Sequence, residues 1–164
     1  MRAPPLGLAA LVAALALDQA AKFVAIRYFQ ADSGAPFALG PFINVTLRWN
    51  RGISFSLFAQ ETATGRGLLL AVTAGVALVL AVWLWRARSK VVALGLGAIM
   101  GGAIGNGYDR FIYGAVADFL DLHLADWHFF VFNIADAAIT VGVAALVLDG
   151  LFLTHEAGSA SERP

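Results

Sequence analysis

The pattern of apolar and polar residues along the chain contains four long apolar stretches. They cover about residues 6–26, 67–85, 91–108 and 129–153. An α-helix needs about 20 apolar residues to cross a bilayer, so each stretch is long enough for one crossing. The second stretch contains no charged residue and ends in Trp83 and Trp85, which are typical of the membrane–water interface. The pattern therefore predicts four transmembrane helices.

The first stretch also has features of a cleavable signal peptide. Arg2 precedes it, and Ala14-Leu15-Ala16 resembles a cleavage site. The apolar sequence resumes after this tripeptide and continues to Ile26. We therefore expect this stretch to remain in the protein as its first span.

The segment between the first two stretches shows the two-residue alternation of β-strands. Val45, Leu47 and Trp49 alternate with polar residues, and the alternation returns at residues 53–57 after Asn50-Arg51-Gly52. Two such runs around a glycine-containing turn predict a β-hairpin. The predicted fold is thus an all-α membrane protein with a small extracytoplasmic β-hairpin or sheet after helix 1, at about residues 40–60.

The composition supports a membrane protein and excludes several other classes. Hydrophobic residues make up 60% of the chain and charged residues 13%, against about half and a quarter in soluble domains. Eleven basic residues balance eleven acidic ones, so nothing suggests a nucleic-acid partner. The absence of cysteine excludes disulfides, thiolate nucleophiles and thiolate-bound metals.

Positive charges in a short connection predict the orientation. Arg86, Arg88 and Lys90 lie between the second and third spans, which places that connection in the cytoplasm. Four spans then put both termini in the cytoplasm and the sheet outside. We expect one integral-membrane domain at residues 1–154, followed by a polar cytoplasmic tail at 155–164.

Several ionisable residues lie within or beside the predicted spans, where they are costly and often functional. Asp18 and Lys22 share one helical face, and their spacing fits either a structural ion pair or a role in a substrate site. Asn106 and Arg110 share a face in the same way. Arg110 fits either an interfacial position or a bridge between carboxylates.

Two aspartates are the stronger candidates for chemistry. Asp118 follows the third span and Asp136 lies at the start of the fourth, so both belong to the same membrane face. Two neighbouring carboxyl groups share one proton, which is the arrangement of aspartic proteases. The alternative is structural, with Asp118 as a helix cap and Asp136 hydrogen-bonded within the bundle.

Other activities are compatible with these residues but are less well supported. Asp118, Asp121 and His123 could bind a metal, yet the sequence has no HExxH motif. A serine of the hairpin could act with Lys22 as nucleophile and base. Intramembrane carboxylates also serve proton-coupled carriers, although four spans without an inverted repeat fit such a machine poorly. A non-catalytic membrane scaffold is the remaining alternative.

Five sequence blocks, in order along the chain, resemble the lipoprotein signal peptidase family, the type II signal peptidases of bacteria. They cover residues 18–22, 50–55, 101–110, 113–119 and 132–136. Ser54 replaces the usual alanine of the second block, and Gly107 and Tyr108 stand where apolar residues are commoner. None of these departures affects Asp118 or Asp136.

The resemblance implies an aspartyl endopeptidase of the bacterial inner membrane that needs no metal or other cofactor. Family members remove signal peptides from prolipoproteins by cutting before a cysteine that carries diacylglycerol. Asp118 and Asp136 would be the catalytic pair. The residues that would bind substrate or support the pair are Asn50, Gly52, Asn106, Arg110, Asn133, Asp18 and Lys22. The expected partners are diacylglyceryl prolipoproteins and membrane lipids, and we expect a monomer.

Overall fold

The structure, a computed structural model, describes residues 3–31, 34–51 and 63–161. Its elements in chain order are α1 (Pro4–Gln30), β1 (Phe37–Ala38), β2 (Ile43–Asn50), α2 (Ala63–Arg86), α3 (Lys90–Tyr113), β3 (Val116–Leu124), β4 (Trp127–Phe132) and α4 (Ile134–Ser161). The protein is therefore mostly helical, with one small sheet.

Three of the described helices are long and apolar enough to cross a membrane. They are α1, α3 and the Ile134–Leu151 part of α4. α2 forms where the second span was predicted, but its apolar part, Leu70–Arg86, is shorter than the other three. The fourth span was predicted to begin at residue 129, which is wrong, because residues 127–132 form strand β4 and the helix begins at Ile134.

The sheet contains four antiparallel strands in the order β1-β2-β3-β4. The strand predicted around Val45 and Trp49 is confirmed as β2, whereas its expected partner at residues 53–57 lies outside the described residues. β2 pairs with β1 and with β3, and the sequence pattern did not predict β3. The register places Arg48 opposite Asp118 and Asn50 opposite Val116. The sheet thus brings Asn50 to the segment that follows α3.

α3 is the central helix, and glycines let its neighbours approach closely. The positions of Gly97 and Gly101 lie against the backbone of α1, and Gly102 lies against the backbone of α4 at Ala135. α3 ends at Tyr113 and is followed by Gly114, whose φ of 72° is left-handed and suits glycine because it has no Cβ. This turn directs the chain from α3 into β3, on which Asp118 lies.

We predict that Gly97→Ala destabilises the protein. A Cβ at this position would collide with the backbone carbonyl oxygen of Gly7, and overpacking of this kind costs about 1–3 kcal/mol. Gly75→Ala in α2 is the matched control, because a Cβ there meets nothing within 4 Å. Thermal unfolding in one detergent should show a lower midpoint for Gly97→Ala only. Equal midpoints would show that this helix contact tolerates a methyl group.

Candidate active site

Asn133 and Asp136 form a reciprocal cap at the start of α4. The backbone N–H of Asp136 donates to Oδ1 of Asn133 at 3.0 Å, and the backbone N–H of Asn133 donates to Oδ2 of Asp136 at 3.2 Å. This geometry matches the capping box, which satisfies free N–H groups in the first helical turn. The cap fixes Asp136 at the amino-terminal end of α4, where the helix dipole favours a negative charge.

Asp118 lies on β3 and is buried, with 3% of its surface exposed. Its Oδ1 accepts a hydrogen bond from Nδ2 of Asn133 at 2.6 Å, and its Oδ2 accepts one from Nδ2 of Asn50 at 3.0 Å. Asn133 therefore contacts both aspartates, through its side chain and through its backbone. The structure brings the two predicted catalytic carboxyl groups to the same asparagine.

The surroundings of Asp118 change its acidity. Burial raises the pKa of the Asp118 carboxyl above its ordinary value, and the nearby charge of Asp136 raises it further. The hydrogen bonds from Asn50 and Asn133 and the positive charge of Lys22 lower the same pKa, but the increase prevails. Asp118 thus retains its proton to a higher pH than a free aspartate.

Asn106 of α3 links Asp136 and Asn133 to the buried side chain of Lys22. Its Nδ2 donates to Oδ1 of Asp136 at 2.8 Å. Its Oδ1 accepts from Nζ of Lys22 at 2.9 Å and from Nδ2 of Asn133 at 3.2 Å. Both ends of this amide have partners, so its oxygen faces Lys22 and its nitrogen faces Asp136.

Lys22 is buried between two carboxylates. Its Nζ lies 2.8 Å from Oδ2 of Asp18 and 2.8 Å from Oδ2 of Asp109. The same carboxylates accept backbone N–H groups, from Ala135 of α4 at 2.8 Å and from Ala117 of β3 at 3.1 Å. Asp18 and Lys22 therefore form a structural ion pair that joins α1 to the two elements carrying the catalytic candidates.

Sequence reasoning did not include Asp109 and Gln19 among the site residues. Nε2 of Gln19 lies 3.1 Å from Oδ2 of Asp18 and 3.2 Å from Oδ1 of Asp109, and completes the buried cluster. The signal for Asp109 was its position one turn after Gly105 on the face of α3 that meets α1. A glycine there admits the Asp18 carboxylate, since a Cβ at Gly105 would lie 2.6 Å from Oδ2 of Asp18.

Arg110 and Gly52 were also predicted as site residues. Arg110 donates from Nη1 to the carbonyl oxygen of Asn106 at 3.2 Å, and its positive charge interacts with those of Asp136 and Asp118. Gly52 lies outside the described residues, as do the hairpin serines considered as nucleophiles.

The metal site considered at Asp118, Asp121 and His123 does not form in the structure. Asp121 instead binds His128, whose Nδ1 lies 2.6 Å from its Oδ2. Within residues 3–31, 34–51 and 63–161, no three histidine, aspartate or glutamate side chains are placed to share a metal ion.

Fold and site together describe a mostly helical protein with long apolar helices and with two aspartates that contact one asparagine beside a small sheet. The chain belongs to the signal peptidase II family, since the family model described as signal peptidase (SPase) II matches residues 10–152. The chain is therefore a peptidase and a bacterial membrane protein. Membership in this family gives no support to the proton-coupled carrier.

Relatives named lipoprotein signal peptidase match most of the chain. The protein from Methylorubrum extorquens (strain PA1) is 50% identical over 147 residues, which are 88% of this chain and 85% of that protein. The protein from Methylobacterium sp. (strain 4-46) is 44% identical over 164 residues, which are 100% of this chain and 99% of that protein.

Two solved structures of bacterial membrane enzymes share the fold. Their TM-scores are 0.76 and 0.75, at 23% and 24% sequence identity. The first covers 96% of this chain and 93% of its own, and the second covers 88% and 92%. This structural similarity supports the overall arrangement of helices and sheet.

Proposed function

We propose that the protein is an aspartyl endopeptidase that removes signal peptides from diacylglyceryl-modified prolipoproteins by cutting before the lipidated cysteine. The relatives named lipoprotein signal peptidase support this class of substrate. The observation that carries the aspartyl mechanism is the contact of Asn133 with both Asp118 and Asp136. Two carboxyl groups held in this way can divide the acid and base roles of peptide hydrolysis.

The environments of the two aspartates suggest which role each takes. In this proposal the pair shares one proton, and Asp118 is taken as the acid because burial and the charge of Asp136 raise its pKa. Asp136, the partner without the shared proton, then accepts a proton from the attacking water. Protonated Asp118 donates to the carbonyl oxygen as water adds, which gives a tetrahedral diol. Asp136 then protonates the leaving nitrogen as the C–N bond breaks, and a hydroxyl of the diol returns its proton to Asp118. The products are a free carboxylate and a free amino group.

The asparagines and the arginine around the pair act as supporting residues in this proposal. Asn133 and Asn106 hold the aspartates by donating to Asp118 and Asp136 respectively. Arg110 supplies positive charge near both. Asn50, which is exposed at the end of β2, and Gly52 would contact the substrate.

The membrane arrangement is also proposed. We infer that α2 is a fourth span, because Leu70–Arg86 is apolar and helical. The basic connection at Arg86, Arg88 and Lys90 would be cytoplasmic, and so would both termini and the polar tail at residues 155–164. The active site would then face outward, within a single domain at residues 1–154. A monomer would suffice, since one chain supplies both aspartates.

The Asn50–Asp118 hydrogen bond makes the proposal testable through pH dependence. Cleavage needs one protonated carboxyl group, so the rate falls on the alkaline side as the pair loses its shared proton. Asn50→Leu removes a hydrogen bond that lowers the pKa of Asp118. The pKa then rises, and the alkaline limb of the pH–rate profile moves to higher pH. Asn44→Leu, on the same strand opposite Asp121, is the control. An alkaline limb that stays at the same pH or moves to lower pH would contradict this role for Asp118.

The function itself is tested by mapping the bond that the purified protein cuts. A diacylglyceryl prolipoprotein is incubated with the enzyme in detergent micelles, with an excess of chelator, and the products are weighed by mass spectrometry. We expect a mature fragment that begins with the lipidated cysteine. Cleavage at another bond would overturn the proposed specificity, and cleavage lost on chelation would overturn the aspartyl mechanism.

A further inference from the structure

A groove lies between α1 and α3, lined by neither Asp118 nor Asp136. It consists of two adjoining cavities of about 570 and 280 Å³ that share Gln19 and Tyr108. We call this the α1–α3 groove. Both helices that form it are long and apolar enough to cross a membrane, so the groove is open to lipid along part of its length.

The larger cavity is polar and aromatic. Arg27, Gln30, Tyr108 and Tyr113 contribute to its lining. The guanidinium of Arg27 lies 5.3 Å from the centre of the Phe23 ring. Among the described residues no carboxylate lies within ion-pair distance of Arg27. An exposed arginine among aromatic side chains at a membrane interface is suited to a phosphate group.

The smaller cavity is apolar at its far end, where Leu15 and Ile104 form its walls. Leu15 precedes Arg27 by 12 residues of one continuous helix, which is a rise of about 18 Å. Half the hydrocarbon core of a bilayer measures about 15 Å. The distance from Arg27 to Leu15 is therefore close to the hydrocarbon thickness of one leaflet.

We propose that the α1–α3 groove binds one anionic glycerophospholipid, with its phosphate on Arg27 and one acyl chain extending to Leu15 and Ile104. A net negative headgroup is favoured because, among the described residues that line the two cavities, Arg27 is the one with a charged side chain. Tyr108, which lines both cavities, lies between the ends, and its hydroxyl can donate to a glycerol ester oxygen. This site is distinct from the peptidase site and its occupancy needs no cleavage.

Native mass spectrometry of the purified full chain tests the proposal. The protein is titrated with phosphatidylglycerol, with phosphatidylcholine and with diacylglycerol of the same acyl chains. We expect phosphatidylglycerol to bind most tightly, with one molecule retained. Arg27→Gln should weaken phosphatidylglycerol about tenfold, because a hydrogen bond to a charged group is lost, and should leave diacylglycerol unchanged. Arg48→Gln, an exposed arginine of β2 outside the groove, is the charge control.

A second variant tests the apolar end of the groove. Ile104→Trp fills the smaller cavity and should weaken phosphatidylglycerol and diacylglycerol alike. Leu94→Trp adds the same ring at an exposed position of α3 outside the groove and should weaken neither. Thermal unfolding in lipid-free detergent verifies that each variant is folded. Equal binding of phosphatidylglycerol by all variants would overturn the proposal. If free glycerol phosphate displaced bound phosphatidylglycerol as well as the whole lipid does, the proposed contact of an acyl chain with the groove would be overturned.

Discussion

Asparagine in place of either Asp118 or Asp136 will lower the cleavage rate of a diacylglyceryl prolipoprotein by about 10²- to 10⁴-fold, the usual contribution of a general acid or base. Each variant keeps the shape of the side chain and removes its ability to exchange a proton. Asp121→Asn is the matched control, because Asp121 is buried on the same strand but binds His128. Rates are measured on purified protein in micelles.

The double variant distinguishes a cooperating pair from two independent residues. If Asp118 and Asp136 share one proton, the second substitution costs little once the first is made, because residues that act as a unit are not additive. We therefore expect the double variant to resemble the worse single variant. Multiplied losses, or retained cleavage in a folded single variant, would contradict the pair.

Removing the buried lysine should have the largest effect on stability. Lys22→Met leaves the carboxylates of Asp18 and Asp109 without their cation, and such a change costs about 3–5 kcal/mol. Both carboxylates also hold backbone N–H groups, so their movement would loosen the start of α4 and of β3. Lys90→Met, at an exposed position where α3 begins, is the control. Thermal unfolding in one detergent gives the comparison.

A compensated variant shows whether the loss comes from unpaired charge. Adding Asp18→Asn and Asp109→Asn to Lys22→Met removes all three charges while keeping acceptors for the two backbone groups. Because buried charges cost free energy when they are unpaired, this triple variant should recover much of the lost stability. A triple variant less stable than Lys22→Met would contradict that explanation. Equal unfolding midpoints for Lys22→Met and Lys90→Met would contradict it as well.

The sequence predicted the helices better than the sheet because hydropathy reports burial in lipid without reporting backbone shape. α1 and α3 follow directly from long apolar stretches. Most of β4 was assigned to a span because its residues 129–132 are all aromatic or apolar. Short runs of this kind fit a strand as well as a helix. Its aromatic and β-branched residues favour the strand.

The sequence did not show how the candidate site is built. Spacing along the chain suggested that Asp118 and Asp136 share a membrane face, and the structure brings both to Asn133. The sequence pattern did not predict the β-hairpin, β3 and β4, that joins α3 to α4. Pairing between β2 and β3, which sequence periodicity does not encode, brings Asn50 to Asp118.

Asp109 and Gln19 were missed because contacts between distant segments do not follow from spacing along the chain. Asp109 and Gln19 meet only because α1 packs closely on α3, with Asp18 seated at Gly105. Local spacing indicated the pair of Asp18 and Lys22, which are one helical turn apart. The second carboxylate on Lys22 follows from the packing of the two helices.

The most direct test of the central claim compares cleavage of one prolipoprotein with and without its diacylglyceryl group, by the wild-type protein and by both single asparagine variants. We predict that the wild-type protein cuts only the lipidated form and that neither variant cuts it at a comparable rate. Equal cleavage of the unlipidated form would contradict the proposed substrate, and full activity of Asp118→Asn or Asp136→Asn would contradict the aspartyl pair.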